Sequence, residues 1–113
     1  MKRITYLVVA VALAAAPAYA ADKKIERLWK SKCQSCHGAD GKAQTEKGKK
    51  MKMHDITTAE WQKKWTDAEI KKVTLEGVNE EKEGVKKEMD GYKDLPAEQI
   101  DGLVAFVREL GKK

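Results

Sequence analysis

The chain has 113 residues, 36% of them charged, with 23 basic and 18 acidic side chains and a formal net charge of +5. That length allows one domain with a modest core. Acids and bases are mixed along the chain without a basic stripe, which argues against a nucleic-acid partner.

Met1-Lys2-Arg3 is a short basic start. Residues 4–16 follow as an apolar run of about thirteen, too short for a helix to span a bilayer of roughly 30 Å. Ala18-Tyr19-Ala20 has the small-x-small form of a cleavage site. Residues 1–20 are therefore expected to be a secretory leader, and residues 21–113 the mature domain, exported and soluble. No later apolar run is long enough to span, so no membrane span is expected in the mature chain. Taking Lys2 and Arg3 from the 23 bases leaves a net +3 against the 18 acids. That mild excess suits an acidic partner and is ordinary for a soluble protein.

Residues 22–32 read as the first helix. Ile25, Leu28 and Trp29 stand at i, i+3 and i+4 and make one apolar stripe. Asp22 suits the start of this helix, and Lys30 and Lys32 suit its end. The stripe leads into Cys33-Gln34-Ser35-Cys36-His37, two thiols two residues apart with an imidazole directly after them. This is the c-type haem attachment spacing. Each thiol can add across one porphyrin vinyl group, and the histidine then lies where it can ligate the iron from the proximal side. A thioredoxin-like redox motif would need strand patterns beside it, and none flank this stretch. A zinc site would need further ligands, and the only other histidine is His54. A plain disulfide would leave His37 without a role. Haem attachment also requires reduced thiols delivered outside the cytoplasm, so the leader and the motif support each other.

Residues 38–57 show no steady period and read as a loop that wraps the cofactor edge. Lys47, Lys49, Lys50 and Lys52 form a solvated run or, more sharply, a docking patch. Residues 58–64 read as a short helix with Trp61 and Trp65 at i, i+4, a pair expected in the core. Thr66-Asp67-Ala68-Glu69 is a capping box. It opens a third helix carrying Ile70 and Val73, which Gly77 closes. Residues 79–95 read as a second, charge-dense loop. Residues 96–110 read as the last helix, with Pro96 near its start and Ile100, Leu103, Val104, Val107 and Leu110 on one face. Its partner is expected to be the first helix.

One histidine leaves an iron with an open sixth position, and Met51, Met53, His54 and Met89 compete for it. The first three lie in a loop that would have to travel round the porphyrin edge with little to hold it. Met89 follows two further helices and sits in a segment anchored on both sides, which favours it. A soft thioether would raise the potential, whereas two histidines would give a lower one. An open position would instead allow ligand sensing or peroxide chemistry.

With these residues in view, the sequence resembles the small bacterial class I (monohaem) c-type cytochromes. Leu28-Trp29 precedes Cys33-Gln34-Ser35-Cys36-His37-Gly38-Ala39-Asp40-Gly41-Lys42, Met89-Asp90-Gly91-Tyr92 matches the ligand loop, and residues 95–108 match the C-terminal helix. The resemblance covers nearly all of the mature chain. It implies an all-α fold of about four helices around one covalent haem c, with the first and last helices crossing near it and Phe106 at the crossing. It implies thioethers at Cys33 and Cys36, His37 as proximal ligand and Met89 as distal ligand. One departure stands out: the family commonly has proline after the ligand methionine, and here Asp90 stands there, giving a looser arm. The function implied is a periplasmic electron carrier and not an enzyme, monomeric, exchanging single electrons with soluble or membrane-bound redox partners. The alternative is a haem sensor or peroxidase-like enzyme with a displaceable sixth ligand.

Overall fold

The computed structural model describes residues 17–113. The leader expected over residues 1–20 lies outside the described residues except for 17–20, which stand in the first helix. Along the described chain run α1 (Pro17–Lys32), α2 (Gln34–His37), α3 (Glu46–Lys50), α4 (Ala59–Lys64), α5 (Asp67–Glu76), β1 (Val78–Lys82), β2 (Val85–Met89) and α6 (Ala97–Leu110). The fold is that of a small, mostly helical domain, with six helices and one antiparallel hairpin among the described residues.

The apolar stripes of α1 and α6 pack against each other, as their patterns required. Ile25, Trp29 and Cys33 from α1 and its end meet Leu103, Val104, Val107 and Leu110 from α6 in one buried cluster with Ile56 and Ile70. The Trp29 and Phe106 rings meet tilted, at 5.0 Å between centroids, which places Phe106 at the crossing. The helices approach closely at Gly102. A Cβ there would stand 2.5 Å from Ile25 Cδ1 and 2.7 Å from Cγ1. Gly102→Val should therefore cost about 1–3 kcal/mol through overpacking. A urea melt of the haem-loaded protein reads this as a lower midpoint at unchanged slope.

The capping box holds as expected. Thr66 Oγ1 accepts from the Glu69 backbone N–H at 3.1 Å, and the Glu69 carboxylate accepts from the Thr66 N–H at 3.1 Å. The Thr66 N–H and then the Thr66 hydroxyl, which donates to the same carboxylate at 3.0 Å, hold the Glu69 carboxyl below its ordinary value. The α4–α5 corner is tied to α6 by Arg108. Its guanidinium donates to Asp67, to the carbonyl and side chain of Gln62, and to the Trp65 carbonyl at 2.6–2.9 Å. Gln62 in turn donates to the Ile56 and Val107 carbonyls.

Two expectations need correction. The fold is not all-α with about four helices, because the loop expected over 79–95 contains the β1–β2 hairpin. Glu83 and Gly84, at φ 53° and 76°, form its two-residue turn, the geometry that matches strand twist. Glu80 faces Lys87 and Glu81 faces Lys86, and such opposed charges favour the pairing. β1 is almost wholly exposed, so it shows no apolar alternation. The loop expected over 38–57 likewise contains α3, capped by Thr45, whose hydroxyl accepts from the Gly48 N–H at 2.9 Å. Its sequence, Glu-Lys-Gly-Lys-Lys, has no apolar face to betray a helix.

Candidate functional site

Cys33, Cys36 and His37 stand on one tight turn between α1 and α3, and that turn is fastened from outside. Thr45 Oγ1 donates to the Cys36 carbonyl at 2.6 Å, the Ala43 N–H to the His37 carbonyl at 2.8 Å, and Trp29 Nε1 to the Gly38 carbonyl at 3.0 Å. Three successive carbonyls are thus occupied, and the motif has a single backbone path.

Cys33 is buried and Cys36 half-buried, and both are free thiols. Burial pushes the Cys33 thiol up to about 11, opposed by the Lys32 charge and helped slightly by Cys36. Burial therefore favours its thiol form. Among the described residues no three His, Cys, Asp or Glu side chains gather as a metal site. The His37 ring lies 5.6 Å from the Trp29 ring. Burial lowers its pKa below the ordinary histidine value, so the imidazole is neutral, the form that ligates metals. Its Nδ1 is enclosed and has no hydrogen-bond partner.

His37 opens on a cavity of about 220 Å³. Trp29 and Cys33 share it with His37, and Leu103 and Val107 from α6 contribute to its apolar lining. Met51, Met53 and His54 line it from the segment after α3, Trp61 and Trp65 from α4 and its end, and Met89 from the hairpin. Cys36 is not among the lining residues and stands beside it on α2. The structure thus brings together all four side chains considered for the sixth position. They differ in surroundings. His54 is exposed, while Met51, Met53 and Met89 are half-buried. The Met51 sulfur already accepts from the Glu88 backbone N–H at 3.5 Å. Trp61 and Trp65, expected in the core, stack at 6.1 Å and pack against it, yet they also form cavity wall.

The Met89 strand is held at both flanks. Its partner across the hairpin is Val78. Beyond it, the chain crosses the end of α5 in backbone contact. A Cβ on Gly91 would stand 2.5 Å from the Leu75 carbonyl, and one on Gly77, at φ 76°, would collide with the Met89 carbonyl. Gly91 is therefore there for close approach, and not only as a loose joint. Lys87, another cavity-lining residue of the hairpin, was not foreseen. The available signal was the alternation of half-buried Val85, Lys87 and Met89, masked by the lysine in its middle.

These residues fit a porphyrin. Buried polar atoms nearly always have a partner; among the described residues the buried side-chain nitrogen that lacks one is Nδ1 of His37, whose residue lines an apolar cavity with Cys33, at haem-attachment spacing from Cys36.

Residues 20–107 match the family model described as cytochrome c oxidase, cbb3-type, subunit III. No curated protein matches the chain. Among solved structures, the KustC0563 c-type cytochrome is similar at a TM-score of 0.61 and 28% identity, covering 75% of this chain and 94% of that one. A c-type cytochrome domain implies covalently bound haem c, and the two cysteines it requires are present here. The chain belongs to the cbb3-type cytochrome c oxidase subunit III family and is a small monohaem c-type cytochrome.

Proposed function

We propose that this cytochrome is a periplasmic carrier of single electrons, with thioethers at Cys33 and Cys36, His37 as proximal ligand and Met89 as distal ligand. Haem c, when bound, supplies a one-electron iron couple. The observation that carries the ligand assignment is that His37 and Met89 border one apolar cavity.

The residues around the cavity do the rest. His37 is neutral and has no proton to shed before it ligates. Trp29, Ala43 and Thr45 hold its turn in place, so the proximal side has little freedom to move with oxidation state. Ile70, Leu103 and Val107 keep the interior apolar, which disfavours added charge and supports a high potential alongside the soft thioether. Lys47, Lys49, Lys50 and Lys52 are exposed on α3 and directly after it, next to the cavity-lining Met51 and Met53. This clustering supports electron exchange with partners that present an acidic face, at rates that fall with salt. Among the described residues no helix is long and apolar enough to cross a membrane, and the export expected from residues 1–20 supports the periplasmic placement.

An absorption spectrum of the oxidised protein, followed by reductive titration, tests this reading. A low-spin spectrum with the weak far-red methionine–iron band and a single one-electron transition is the expected result. A high-spin spectrum lacking that band would point to the sensor or peroxidase-like alternative.

A further inference from the structure

The arm that carries Met89 reaches the attachment helix through one side chain. Tyr92 Oη donates to the Lys32 carbonyl at 3.1 Å, and Lys32 Nζ lies 5.3 Å from the Tyr92 ring centroid. Lys32 is the last residue of α1 and directly precedes Cys33. The Tyr92 backbone N–H donates to the Thr74 carbonyl in α5 at 3.0 Å, and the Tyr92 carbonyl accepts from the Leu95 N–H at 3.2 Å. Tyr92 is thus a junction of three segments: the arm, the end of α1 and the pocket side of α5. The residues between it and Met89 are Asp90 and Gly91, both exposed, and neither has a ring to stiffen the chain.

We propose that Tyr92 is a positioning residue for the sixth ligand. It clasps the Met89 arm to the helix that bears the thioether cysteines, and so determines how firmly the methionine stays on the iron. This rests on the Met89 assignment above. The stiffness that proline would supply within the arm comes here from a tether to the end of α1. Opening the arm swings Met89 away and must break the phenol–carbonyl bond and the contact with Lys32. The clasp therefore weights the closed state against an open one. It does so from outside the cavity, since Tyr92 is not among its lining residues.

The test uses the haem-loaded protein and free imidazole, which competes with the methionine for ferric iron. Tyr92→Phe keeps the ring and removes the hydroxyl, and Tyr92→Ala removes both. Imidazole affinity should rise about threefold to tenfold in Tyr92→Phe, the worth of one hydrogen bond of this kind, and further in Tyr92→Ala. The far-red methionine–iron band should fade at a lower temperature than the far-UV helix signal in both variants. A general packing role would lower both melts together and leave imidazole affinity at 25 °C unchanged, which overturns the proposal. The wild-type and Met89→Ala spectra separate the two levels of inference. If the band is present in wild type and lost in Met89→Ala, while Tyr92→Phe binds imidazole as wild type does, the clasp is wrong and the ligand assignment stands. If Met89→Ala keeps the wild-type spectrum, both fall.

Discussion

Replacing Cys33 and Cys36 together with serine should give a colourless protein that has lost most of its helical signal. The domain is small and more than a third of its residues are charged, so its core alone supplies little margin. A core of this scale supplies only roughly 3–5 kcal/mol, and here it surrounds a cavity of about 220 Å³. The side chains around it are mostly apolar and would meet water if nothing filled the space. Serine is nearly isosteric with cysteine, so the substitution itself opens no cavity at the turn. Far-UV circular dichroism and an absorption scan of the exported variant check the prediction. A folded, helical variant without haem would show that the helices close unaided.

Met89→Ala should leave the fold intact and change the redox centre. The backbone pairing of Met89 with Val78 does not depend on the side chain, and neither does the crossing of Gly91 over the end of α5. The far-red band should vanish and the reduction potential should fall on the order of 0.2 V, within the roughly 0.8 V that axial ligands command. Met51→Ala is the informative control. Its sulfur is already engaged by the Glu88 N–H, so the band and the potential should stay near wild type. Loss of the band in Met51→Ala with retention in Met89→Ala would exchange the two roles. Potentiometric titration of the three proteins side by side decides it.

These residues also show what the sequence reveals and what it hides. The attachment motif is legible because its chemistry needs a fixed order of residues within five positions. The stripes of α1 and α6 are legible because each buries one face on the other, and burial imposes a helical period. The Thr66–Glu69 box is legible because both its bonds are local. The hairpin is hidden because β1 is solvated and the residues that face each other across it are Glu80–Lys87 and Glu81–Lys86, a pattern that resembles any charged loop until the Glu83-Gly84 turn is recognised. The helix α3 is hidden because it is five residues long, has glycine at its centre and is set by the Thr45 cap. The convergence of Met51, Met53 and His54 with Met89 on one cavity is also hidden. It depends on how the chain after α3 returns under the hairpin, which no local spacing records.

The central claim is that this chain carries one haem joined to it through Cys33 and Cys36. Intact mass spectrometry of the purified, exported protein under denaturing conditions tests it most directly. The expected mass is that of the mature chain increased by one haem, with red colour that survives denaturation and acid–organic extraction. A mass equal to that of the bare chain, or colour removed by extraction, would contradict it.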